Sequence, residues 1–270
     1  MVVCLQEWVL FKEDLPDLVL IEEEVRTETR GMFTVASSAL RRRGVALVTL
    51  VREGLIAANP AALERACCVT VQQDPNSKAP RWLPGETSPN TALHFVNVHL
   101  PSRLTAHPGA PRRHEVAQLK AGVSAQFPPG STPNVLLIGD WNSEPFEEEL
   151  WHQAELCASR ERITYIQQHY GLPWRPMYNP TWRLLGDRPD DDVRRRKPAG
   201  SHYFRGESTV PGRWKLYDQV IVSQDVADRW TSGWSVALVP ELSGHDDLKN
   251  GAPTSKAVSD HLPLLATLPF

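Results

Sequence analysis

Apolar positions in this chain gather in short runs of four to eight, broken by polar and turn-forming stretches, a run length that predicts strands rather than helices. Residues 2–5 and 135–138 are apolar at every position, the pattern of a strand buried on both faces. Further strands are predicted over 32–35, 45–51, 67–71, 92–99, 214–223 and 236–239. The run 92–99 alternates, with Leu93, Phe95, Asn97 and His99 on one side and His94, Val96 and Val98 on the other. It is expected to pair with 69–71 across the Pro-, Ser-, Asn- and Gly-rich connection 74–90. Helical patterning is scarce. Residues 111–127 have it, with Pro111 near the first turn, Val116, Leu119 and Val123 on one face, and Pro128-Pro129-Gly130 as a stop. A second helix is expected to open at Pro145, with Glu147, Glu148 and Glu149 where the dipole favours them, and a third at Ser223. Residues 171–212, rich in Pro, Gly and charge, read as an excursion from the core of one domain covering 1–270.

Composition narrows the class of protein. The 270 residues are 41% hydrophobic and 23% charged, the balance of a globular protein with a sizeable core. No apolar run has the length to cross a bilayer, and the first residues lack the pattern of a secretory signal, so no membrane partner is expected. Cys4, Cys67, Cys68 and Cys157 have no metal-ligand spacing and read as reduced thiols of a cytoplasmic protein. No feature points to a protein partner. A net charge of −3 excludes a uniformly basic nucleic-acid binder, yet the basic residues are clumped at 41–43, 112–113 and 194–197. Two such clumps converging on one face would make a rim that tracks phosphates, and Arg43 is a candidate member.

Chemistry-bearing side chains collect where the apolar runs stop. After Ile138-Gly139 come Asp140 and Asn142, one residue apart and able to point the same way. A carboxylate beside an amide suits the joint holding of a water, a phosphate and a hard cation. Glu7 closes the first run and His99 closes the run 92–99. Asp218 sits inside an apolar segment, where an unpaired carboxylate is costly, so it must find a donor. Asp260 and His261 follow near the C-terminus. Taken singly, each has an ordinary explanation as a turn residue or a charge at a strand terminus.

In sequence order, the blocks Leu5-Gln6-Glu7, Val96-Asn97-Val98-His99-Leu100, Ile138-Gly139-Asp140-Trp141-Asn142-Ser143-Glu144-Pro145, Leu216-Tyr217-Asp218-Gln219-Val220 and Ser259-Asp260-His261-Leu262-Pro263 resemble the signature blocks of the endonuclease/exonuclease/phosphatase superfamily, the DNase I-like group. The resemblance implies an α+β fold, a four-layer α/β/β/α sandwich of two mostly antiparallel sheets with the site where strand-end loops meet. It implies metal-dependent hydrolysis of a phosphoester with Mg²⁺ or Mn²⁺ as cofactor, and the arginine clusters flanking the motif strands favour a phosphodiesterase acting on nucleic acid, DNA or RNA. His261 would be the base, Asp218 would hold its imidazole, and Asp140 would orient the nucleophile or the leaving oxygen. Asn142 would donate to phosphoryl oxygens, and His99 would face the phosphate as a donor. Glu7 would hold the cation with support from Asp260. Thr181 and Trp182 match loosely a substrate-facing element of the family, and Trp182, Tyr203 and Phe204 are candidates to stack on bases.

Two other readings use the same residues: a small-molecule or phosphoinositide phosphatase of this fold, and a catalytically impaired phosphate-binding module. The second draws on the start of the chain. Family members carry an Asn-bearing strand ahead of the Leu-Gln-Glu strand, and no counterpart precedes residue 1 here. One further strand upstream, on the order of 20–40 residues with its connection, is the expectation.

Overall fold

The computed structural model describes residues 2–9, 25–27, 29–40, 45–53, 55–63, 65–74, 76, 92–102, 112–128, 131, 133–152, 155–161, 176–185, 198–204, 213–229, 235–239 and 261–267. Strands dominate. A three-stranded sheet has the order β1-β3-β2, from Val2–Val9, Val45–Arg52 and Phe33–Leu40, all antiparallel. A seven-stranded sheet has the order β4-β5-β6-β7-β12-β9-β8. Its strands are Leu55–Ala62, Ala66–Gln73, Leu93–His99, Val135–Asp140, Asp218–Ser223, Met177–Tyr178 and Ala158–Ser159, in that order. Only β6–β7 and β8–β9 run parallel within it. Two small antiparallel pairs complete the set, β10 (His202–Tyr203) with β11 (Trp214–Lys215) and β13 (Ser235–Leu238) with β14 (Leu264–Thr267).

The alternation in β6 sets the layers. Leu93 and Phe95 pack into a cluster with Leu136, Val220 and Val222 of their own sheet and with Val2 and Val51 of the three-stranded sheet. This is the core between the two sheets. Asn97, on the same face and fully buried, donates to the Val48 carbonyl at 3.0 Å and stitches the sheets together. Val96 and Val98 face the other way, onto Val116, Leu119 and Val123 of the helix Arg112–Ser124. The far side of the three-stranded sheet is covered by Val25, from a helical turn at 25–27, against Val48 and Leu50. The order is helix, sheet, sheet, helix, as expected.

Several elements depart from the sequence reading. β4 was not anticipated. The helix expected at Pro145 begins only at Glu148 and runs to Trp151, because Glu147 is extended with φ −77° and ψ 139° and offers no side-chain cap. The third helix, Gln224–Arg229, lies where expected. β1 pairs with β3 along one edge and has no second strand partner among the described residues. None of the four cysteines is in a disulfide. Among the described residues, no helix is long and apolar enough to cross a membrane.

Candidate active site

Three adjacent strands deliver the central residues. In the parallel register of β6 and β7, His99 lies opposite Asp140; in the antiparallel register of β7 and β12, Asp140 lies opposite Asp218. The three form one row across the sheet, on the face that carries Phe95, Leu136 and Val220 into the inter-sheet core. β6 and β7 end at this row and β12 begins there. His99 Nε2 is 3.5 Å from Asp140 Oδ2.

Gly139 lets β7 finish in this way. Its φ is +147°, and a Cβ there would overlap the Val98 carbonyl on the parallel neighbour. Beyond Asp140 the chain turns back through Asn142, a non-glycine residue at φ +47°. The Asn142 backbone N–H donates to Asp140 Oδ1 at 2.8 Å. The Asn142 side-chain amide donates to Asp140 Oδ2 at 2.7 Å and to the Leu100 carbonyl at 2.8 Å. Both amide hydrogens are therefore used inside the loop. Expected to donate to a phosphoryl oxygen, Asn142 here holds Asp140.

The donor that Asp218 requires is His261, whose Nδ1 lies 2.7 Å from Asp218 Oδ2. The Asp218 and Tyr217 backbone N–H groups both donate to the buried Ser201 hydroxyl, at 3.0 and 3.1 Å. Burial pushes the Asp218 carboxyl up, but the charge and hydrogen bond of His261, with help from Ser201 and His202, outweigh it and hold the group below its ordinary value. Asp218 is thus kept ionised.

His202 was missed by the sequence reading, which weighed its neighbours Tyr203 and Phe204 instead. Its ring centre is 4.6 Å from that of His261, and it stacks on Tyr217 at 5.6 Å. A backbone bridge joins His202 to His261, and Leu262 N donates to the Ser201 carbonyl at 2.6 Å. The signal in the sequence was a polar triplet, Ser201-His202-Tyr203, which gains meaning only once the segment around His261 is seen to pair with it.

Other expected residues take different places. Thr181 is fully buried in the 3-10 helix Pro180–Leu184, where its hydroxyl accepts from Val220 N at 2.9 Å and donates to Val220 O at 3.3 Å. Expected to contact substrate, it here ties this helix to β12. Next to it, Asn179 donates to Gln219 Oε1 at 2.8 Å, and Gln219 donates to the Ser143 carbonyl at 2.5 Å, a buried chain leading back to the β7 loop. Trp182 is half-buried, and the half-buried Tyr203 packs edge-on against Trp214 at 5.2 Å. Arg112 does not face outward as a rim residue would: its guanidinium is turned inward onto the loops of the site. The side chain of Glu7, and Arg43 and Asp260 altogether, lie outside the described residues.

The structure thus brings together His99, Asp140, Asn142, Asp218 and His261. Ligand-type atoms of Asp140, Asp218 and His261 all lie within 4.8 Å of one another. Two carboxylates, one of them held ionised, beside an imidazole fit a divalent cation by charge and by donor chemistry.

No protein-family model matches the sequence, and neither does any curated protein. Solved structures do match. Truncated TDP2 from Caenorhabditis elegans superposes with a TM-score of 0.51 at 13% identity, covering 100% of this chain and 84% of that one. D. rerio TDP2, complexed with single strand DNA product, gives a TM-score of 0.50 at 14% identity, covering 100% of this chain and 86% of that one. The chain has the DNase I-like fold. The two facing sheets with helical cover are the frame of that DNase I-like arrangement, and the row of His99, Asp140 and Asp218 lies at one end of its larger sheet.

Proposed function

We propose that this protein is a phosphoester hydrolase, a metal-assisted phosphodiesterase acting on nucleic acid. The observation that carries the reading is the His261–Asp218 pair at 2.7 Å, set beside Asp140 in a row of facing strands. Hydrolysis of an anionic phosphodiester needs a base for the attacking water and positive charge at the phosphoryl oxygens. His261 is the base. Its Nδ1 is committed to Asp218, which makes Nε2 the atom that accepts the proton, and the ionised carboxylate stabilises the imidazolium that results. Asp140, fixed at both oxygens by Asn142, orients the attacking or leaving oxygen. His99 is the donor to the phosphoryl group. Mg²⁺ or Mn²⁺, when bound, would supply charge neutralisation there, and Asp140 with Glu7 and Asp260 would hold it. Arg43 and the aromatic residues Trp182 and Tyr203 are the proposed contacts to backbone and bases of a nucleic-acid strand.

Incubation with single-stranded DNA, RNA, plasmid and a chromogenic diester, each with Mg²⁺, Mn²⁺ or chelator, tests the reading. Cleavage of a polynucleotide that stops with chelator and with His261→Ala is the expected result. Turnover confined to small monoesters would make it a phosphatase of the same fold. Phosphate binding without turnover of any substrate would refute the enzyme.

A further inference from the structure

Arg112 is the first residue of the helix Arg112–Ser124, a position where a cation opposes the helix dipole. Helix stability therefore does not account for it. Its side chain is only 10% exposed, and every nitrogen of its guanidinium has an acceptor. Nη2 donates to the carbonyls of Trp141 at 2.9 Å and Asn142 at 3.0 Å. Nε donates to Ser143 Oγ at 3.3 Å, and that hydroxyl in turn donates to Glu149 at 2.8 Å. Nη1 reaches the Pro101 carbonyl and lies 3.1 Å from Glu115, whose carboxylate offsets the charge. One planar cation thus binds two loops at once: the one leaving β6 after His99 and the one leaving β7 after Asp140.

The second loop is the one that needs help. Asn142 sits at φ +47°, and both oxygens of Asp140 are aimed by its N–H groups. The Trp141 carbonyl accepts from Arg112 Nη2, and the N–H on the other side of that same peptide, that of Asn142, donates to Asp140 Oδ1. Loss of the Arg112 bond frees the peptide that fixes Asp140. We propose that Arg112 is a positioning residue, acting through Asn142 to hold Asp140 in its working orientation and in register with His99. This rests on the phosphodiesterase reading above. A lysine cannot replace it, because an ammonium is a point charge without the fork that spans three successive acceptors.

Arg112→Lys and Arg112→Ala are compared with the unmodified protein on a polynucleotide substrate. The expected result is a fall in kcat of about 10- to 100-fold with KM within about twofold, the signature of a displaced group rather than lost binding. Millimolar guanidinium should restore part of the loss in Arg112→Ala but none in Arg112→Lys. In an Asp140→Ala background, Arg112→Ala should cost little more. Hydrogen exchange gives a readout that needs no substrate: exchange over 138–146 should quicken in Arg112→Lys while β6 and β12 keep their protection. Unchanged kcat in Arg112→Ala, or faster exchange spread evenly over the sheet, overturns the proposal. Localised exchange in a protein inactive on every phosphodiester would leave the clamp standing and sink the functional reading instead.

Discussion

The coupling between Asp218 and His261 offers the sharpest test of the chemistry. His261→Ala removes the proposed base, an expected loss of about 10²–10⁴-fold in turnover. Asp218→Asn keeps the shape of the side chain but removes the charge and lets an amide face Nδ1, which stabilises the wrong tautomer. A loss near 10³-fold for each is a reasonable centre, and two independent losses of that size would multiply to about 10⁶-fold, or about 8 kcal/mol. The structure argues against independence. The 2.7 Å bond and the burial of Asp218 make the imidazole its route to the water. The double variant is therefore expected within about threefold of His261→Ala alone, a coupling of about 4 kcal/mol. The assay is kcat/KM on a chromogenic phosphodiester at saturating divalent cation, with circular dichroism to confirm the fold of each variant. Full multiplication of the two effects would refute the pairing. A loss in Asp218→Asn greater than that in His261→Ala would assign the carboxylate a second task at the cation.

Gly139→Ala should destabilise the protein by about 2–4 kcal/mol in urea titration, because it forces a left-handed residue and pushes β7 off the Val98 carbonyl; an unchanged midpoint would contradict the β6–β7 register. Thr181→Val strands a buried N–H and carbonyl of Val220 and should cost about 1–3 kcal/mol while leaving KM untouched; raised KM at full stability would return Thr181 to the substrate. The lowered pKa of Asp218 means its contribution to stability is complete above the ordinary carboxylate value and is lost as pH falls through the folded one. As pH falls below the ordinary carboxylate range the unmodified protein should thus lose more stability than Asp218→Asn, and parallel losses in the two would refute this. Neutralising Arg41, Arg42 and Arg43 together should lower the slope of log affinity against log salt for a polynucleotide by about 2–3, and an unchanged slope would make them plain solvated surface.

What the sequence discloses depends on how local the cause is. The alternation that put Asn97 and His99 on the face of Phe95 is a property of a single strand, and it holds in the folded sheet. The helix 112–124 is likewise fixed by its own period, down to Val116, Leu119 and Val123. The need of Asp218 for a donor follows from burial alone, and His261 meets it. β4 escaped notice for a physical reason. Its Ala-rich sequence carries Asn59 and Pro60, where φ of Asn59 is +52° and the register with β5 shifts between Ala58 and Ala61. Such a bulge is tolerated because β4 is the last strand of its sheet. His202 and Arg112 were hidden for another reason. Both owe their roles to partners far along the chain, and by composition each looked like ordinary surface charge.

The row that joins β6, β7 and β12 has a consequence for the timing of synthesis. Asp218 meets a partner 43 positions downstream, and Asp140 meets Asp218 across an excursion nearly twice that length. Loop closure over such distances comes late in folding and slowly. A ribosome can release the first sheet and the long helix while Asp140, the proposed base and its orienting carboxylate are still apart. On the phosphodiesterase reading, the growing polypeptide, which emerges among messenger and ribosomal RNA, is then without competent chemistry until His261 has left the exit tunnel and docked.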